Sequence, residues 1–215
     1  MRSPWHHSVQ VPVYIINICT RQASNPLTRL PGPATVALRP FATDPAAIRQ
    51  ISVRVTRPAP ADLALDYTLE GDLAGVRIPD VGPTATPAGP IDGLWRHTCM
   101  EVFVSAAHSG ALPGSYLEFN LAPSCQWAAY RFSGYRAGMA PLTGIRPPHI
   151  RLRTESDRLL LSAQVQLPAD LAAGGLRLGI TVVVEDTQGL LSYWALRHTA
   201  ERADFHHPDS FEFEI

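Results

Sequence analysis

At 215 residues the chain has room for one large β domain, or one domain with an appendage. Its 18 basic and 19 acidic residues leave a formal net charge of -1, a balance that offers no field for a polyanion and argues against nucleic acid as a partner. Every basic residue is arginine, which excludes Schiff-base and lysine-nucleophile chemistry.

The first apolar stretch, VQVPVYIINIC at 9–19, has the look of a signal h-region, but only Arg2 precedes it as positive charge, Pro12 interrupts it and no small-x-small cleavage site follows. The expectation is a cytoplasmic protein in preference to an exported one. No stretch reaches the roughly 20 apolar residues of a membrane span. RQASNPLTRLPGP at 21–33 is polar and proline-rich, so residues 1–33 read as a poorly ordered N-terminal extension and 34–215 as the folded domain. Three cysteines, Cys19, Cys99 and Cys125, are an odd number without a CxxC pair, and no disulfide framework is expected.

Beyond the linker, period-two runs alternate with turn signals. LALDYTLEG sets Leu63, Leu65, Tyr67 and Leu69 against Ala64, Asp66, Thr68 and Glu70. Similar runs fall at about 49–55, 99–105, 115–121, 126–133, 149–154, 158–167, 176–184, 191–197 and 211–215. LPADLAAGG at 167–175 allows one or two helical turns before its glycines stop it. The pattern predicts an all-β protein of about ten strands, packed as an antiparallel β-sandwich. Its longest gap, 71–93, is rich in proline and glycine and is placed as a loop bordering a binding face.

Three clusters carry candidate site residues. In LWRHTCMEVFV, 94–104, alternation puts Cys99, Glu101 and Phe103 on one face and Met100, Val102 and Val104 on the other, which is the expected core; Trp95 and Arg96 stand just before the strand. In SYLEFNLAPSCQWAAYRFSGYR, 115–136, Tyr116, Glu118 and Asn120 share a face, a row of hydrogen-bonding groups suited to a polyhydroxylated ligand, and Trp127 opens an aromatic run that ends at Arg136. A solvated outer face would show the same row. In LLSYWALRHTAERADFHHPDSFEFEI, 190–215, lie Trp194, His198, His206, His207 and Asp209, but without HExxH or a helical His pair no metal site is expected, and HHPD reads as a turn. The absence of GxSxG, P-loop and GxGxxG motifs points away from nucleophilic catalysis and nucleotide binding, so the chain is expected not to be an enzyme.

Over 35–215, and most strongly in these three clusters, the sequence resembles the bacterial DOMON-like proteins, a superfamily related to family nine carbohydrate-binding modules and to haem-binding DOMON domains. The resemblance implies a β-sandwich of jelly-roll type that binds a small ligand. Its carbohydrate-binding branch implies that Trp95, followed six residues later by Glu101, stacks on and hydrogen-bonds a sugar, with Trp194 as the opposite wall. Together with Arg96, Glu118, Asn120, Trp127 and His198 these form the expected sugar or glycan site, without cofactor. The haem branch implies axial ligation by Met100 or Met139 with His97 or His198. A protein-interaction domain without a small ligand is the third alternative, and the oligomeric state is left open. Cys125 in APSCQW occupies a turn position where glycine is expected, because a left-handed backbone costs a non-glycine residue about 1 kcal/mol or more.

Overall fold

The computed structural model describes residues 32–41, 47–79, 90–107 and 114–215. The extension expected at 1–33 falls almost wholly outside those residues, as do 80–89 of the long loop. The described residues form twelve strands: β1 Ala34–Pro40, β2 Ile48–Ala59, β3 Asp62–Gly71, β4 Cys99–Ala106, β5 Tyr116–Leu121, β6 Trp127–Phe132, β7 Ala140–Pro141, β8 His149–Thr154, β9 Arg158–Gln166, β10 Leu176–Glu185, β11 Leu191–Ala195 and β12 Phe213–Glu214. The one α-helix among them, α1 Ala169–Ala172, is a single turn, as its alanines and the glycines after it dictate. No helix of the described residues is long and apolar enough to cross a membrane.

All strand pairs are antiparallel and run in the order β7-β6-β5-β4-β10-β11-β1-β2-β3-β9-β8, with β12 beside β10. The array curls on itself. Its first half is β1-β2-β3-β9-β8 and its second β7-β6-β5-β4-β10-β11. β1 joins them, because Ala34–Leu38 pair with β2 while Arg39 and Pro40 pair with β11. The run ATVALRP was not among the predicted strands; its small residues give alternation too faint to register.

Alternation explains the core. Leu63, Leu65, Tyr67 and Leu69 of the first half meet Met100, Val102, Val104, Leu117 and Phe119 of the second, all of them 1% exposed or less. Each such aliphatic side chain contributes about 2 kcal/mol by leaving water. Tyr67 Oη crosses the layer to donate to the Glu101 carbonyl at 3.0 Å. Arg57 continues the inward row of Ile51, Val53 and Val55 and is 5% exposed. Its guanidinium donates to the carbonyls of Pro60 at 2.7 Å, Ala172 at 2.9 Å and Gly174 at 2.6 Å, so it ties the β2–β3 hairpin to the segment after α1.

The second half has another covered face. Phe103, Tyr116, Tyr130 and Phe132 point away from the core and are roofed by a strap, residues 197–211, whose Phe205 and Phe211 pack on them. Gly179 makes room for the strap: a Cβ there would lie 2.8 Å from the Phe211 ring. Gly179→Val is therefore expected to destabilise the fold by about 1–3 kcal/mol through overpacking, read from denaturant unfolding. Unchanged stability would show that the strap lifts freely. Cys125 has φ 60°, the left-handed backbone expected of that turn, and its amide donates to the Ala122 carbonyl at 2.9 Å.

Candidate functional site

Because β4, β5 and β10 lie side by side, three short alternating sequences superpose their polar positions on the strap-covered face. Glu101 stands opposite Thr181 on β10 and Asn120 on β5, while Glu118 stands opposite Phe103. The two glutamates are thus diagonal neighbours on one face, 2% and 4% exposed. Thr181 Oγ1 donates to Glu101 Oε2 at 2.9 Å, and Asn120 Nδ2 to Glu118 Oε1 at 2.7 Å. Burial raises both carboxyls far above the usual carboxylate range, with the Glu118 charge adding to the effect on Glu101.

Above this floor opens a pocket of about 540 Å³, within the usual range for small-molecule sites. Trp95 and Arg96 reach it from a single 3₁₀ turn, Leu94–Arg96, that follows the left-handed Gly93. The Trp95 ring meets Tyr130 edge to face at 5.8 Å. Phe132, Arg136 and Met139 form a second side, and Leu191 and Tyr193 of β11 a third. The strap contributes Ala203, Phe205 and His206.

Arg136 and the strap lock each other. Ala137 N donates to the Gly134 carbonyl, closing a tight turn in which Arg136 takes φ 51°, a left-handed conformation uncommon for arginine. Its guanidinium donates to Asp204 Oδ1 from Nη2 at 2.8 Å and from Nε at 3.3 Å, and the Tyr135 hydroxyl binds the other Asp204 oxygen. Burial acts to raise the Asp204 carboxyl, but these hydrogen bonds outweigh it and hold the group below its ordinary value. Arg136 N also donates to Tyr116 Oη at 3.2 Å, the same hydroxyl shares a hydrogen bond with His206 Nδ1 at 2.8 Å, and Nε2 of that ring turns toward Glu118. At 3.9 Å this last approach is too long for a hydrogen bond. Burial, with help from the Arg136 charge, lowers His206 to about 4, so the ring is neutral at neutral pH and forms no ion pair with Glu118.

Of the eight residues singled out in the sequence, the structure gathers Trp95, Arg96, Glu101 and Glu118 around the pocket. Asn120 lies beside them, fully buried, as the donor that fixes Glu118. The others are displaced from the expected site. Trp194 is 1% exposed within the core between the two halves, because β11 turns Tyr193 and Leu191, not Trp194, to the pocket face. Trp127 likewise faces the core, and its Nε1 has no hydrogen-bond partner among the described residues. His198 binds the Arg39 carbonyl at 2.9 Å and packs against Phe41. Tyr193 and Phe205, and not Trp194, line the pocket.

The pairs implied by haem ligation do not fit. Met100 is sealed in the core, His97 is held by Glu185 at 2.7 Å and His198 by Arg39, so Met139 alone of these reaches the pocket. Among the described residues no group of three His, Cys, Asp or Glu side chains is placed to hold a metal ion. Arg136, Tyr193, Phe205 and His206 were not among the expected ligand-binding residues. The alternation of β11 carried the signal for Tyr193; the other three depend on turn and strap geometry.

No protein-family model matches this chain, and no curated protein matches it. Among solved structures, a carbohydrate binding module family 9 from Caldicellulosiruptor kristjanssonii in complex with cellotriose is similar at 13% identity, covering 75% of this chain and 71% of that one, with a TM-score of 0.43. The same kind of module in complex with glucose is similar at 12% identity, covering 67% of this chain and 65% of that one, with a TM-score of 0.38.

Proposed function

We propose that this β-sandwich is a non-catalytic binding module that takes a sugar or glycan fragment into the strap-covered pocket. The carrying observation is the floor: two buried carboxyls, each fixed by one protein donor, lie beneath a ring of aromatic walls. Acceptors at set positions suit the hydroxyls of a sugar, and flat rings suit its C–H faces. Trp95 stacks on the ligand at the rim, Arg96 donates from the mouth, and Glu101 and Glu118 accept from below. Asn120 acts through Glu118, as a positioning residue.

Titration with glucose and short glucans, followed by tryptophan fluorescence and calorimetry, tests this. Trp95→Ala is expected to weaken binding about 10-fold or more, in line with loss of a stacked aromatic anchor. Trp194→Phe is expected to leave affinity unchanged, since that ring lies on the far side of the sheet. No binding by the parent, or equal effects of the two substitutions, would defeat the assignment.

A further inference from the structure

The floor of the pocket contains an imbalance. Glu101 Oε2 and Glu118 Oε1 have their donors in Thr181 and Asn120, while among the described residues Glu101 Oε1 and Glu118 Oε2 have no hydrogen bond. Both side chains are more than nine-tenths buried and both line the pocket. Two buried acids side by side are costly unless a cation or several donors meet them. Among the described residues no cation hydrogen-bonds either acid: Arg136 draws on Glu118 only through its charge, with its guanidinium hydrogen-bonded to Asp204, and the neutral His206 ring stops at 3.9 Å. Arg96 stands exposed at the mouth.

We propose that the ligand carries a protonated amine, seated between the free oxygens of Glu101 and Glu118 and faced by aromatic rings. An ammonium offers three donors on one compact charge, enough to reach both carboxylates at once. The rings of Phe103, Phe132, Tyr193 and Phe205 line the same space, and aromatic rings carry the negative π surface that favours organic cations. An anionic ligand at the floor meets two acids and is disfavoured. Within the sugar assignment, on which this inference rests, the ligand class is an amino sugar.

A proton balance follows. The groups facing the acid pair are Cys99 on β4, Thr181 on β10, Tyr116 and Asn120 on β5, Tyr130 on β6, Tyr67 from β3, Arg136 from its turn and His206 from the strap. Because burial keeps the carboxyls partly protonated near neutral pH, seating an ammonium there expels protons to the buffer. A neutral sugar leaves them in place.

The test is calorimetry of the full chain at neutral pH with glucose, glucosamine, N-acetylglucosamine and phenethylamine, each in two buffers of different ionisation enthalpy. Glucosamine is expected to bind about 10-fold or more tighter than glucose and N-acetylglucosamine, with buffer-dependent heat that the two neutral sugars lack. Glu101→Gln and Glu118→Gln, checked for folding by their melting curves, are expected to abolish that preference and the proton release. If the three sugars bind alike and without proton release, the ammonium seat is overturned while the sugar module stands. If phenethylamine binds and no sugar does, the seat holds and the sugar assignment falls. If none of the four binds, both are overturned.

Discussion

Replacing Arg57 by alanine is expected to lower the free energy of unfolding by about 3 kcal/mol, the range found when a buried charged donor is removed and its partners are left behind. The cost comes from the carbonyls of Pro60, Ala172 and Gly174, which lose their donor in a site that water does not reach freely. Arg57→Lys should recover only part of it, because an ammonium gathers its three donors on one atom, whereas the planar fork reaches the carbonyls of Pro60, Leu171, Ala172 and Gly174 from three separate nitrogens. Denaturant titration of the three proteins measures the series. A loss below about 0.5 kcal/mol for the alanine variant, the scale of an ordinary surface substitution, would mean that the hairpin and the α1 segment do not depend on this tie.

The second large effect concerns pH. Burial raises Glu101 to about 8 and Glu118 to about 7, both above the ordinary value of 4.5 that an unfolded chain restores. A carboxyl whose pKa is raised in the fold stabilises the protein fully below its unfolded pKa and loses that contribution as pH rises through the folded one. Stability is therefore expected to decline from about pH 4.5 to about pH 8 and then level off as far as this pair is concerned. The whole decline is at most on the order of 8 kcal/mol, because a tenfold change in proton affinity corresponds to about 1.4 kcal/mol. Glu101→Gln should flatten most of the decline and be more stable than the parent at alkaline pH. Melting curves across that range decide it; a parent whose stability climbs toward pH 8 would show that the pair is solvated or already neutralised.

These effects locate what could be seen in the residues alone. The alternation of CMEVFV and YLEFNL placed Met100, Val102, Leu117 and Phe119 inward and Glu101, Glu118 and Asn120 on the opposite face, and the structure agrees. Period two is a local property, so it survives without knowledge of the partners. The strand around Trp194 was less legible, since SYWAL puts an aromatic ring on either face and only the register with β1 and β10 decides which is buried. Arg57 was hidden because nothing local marks an arginine as continuing an inward row. Arg136 and His206 depend on a left-handed turn and on a strap that returns from the end of the domain, and neither has a period to read.

β1 has one further implication. Since its first five residues pair with one half of the array and its last two with the other, no clean seam separates the layers. Prying them apart means stripping this single ribbon from one layer or the other, so both layers should melt in one step, and a proline at Ala37 that disrupts the ribbon should loosen β11, and with it Tyr193, at a distance.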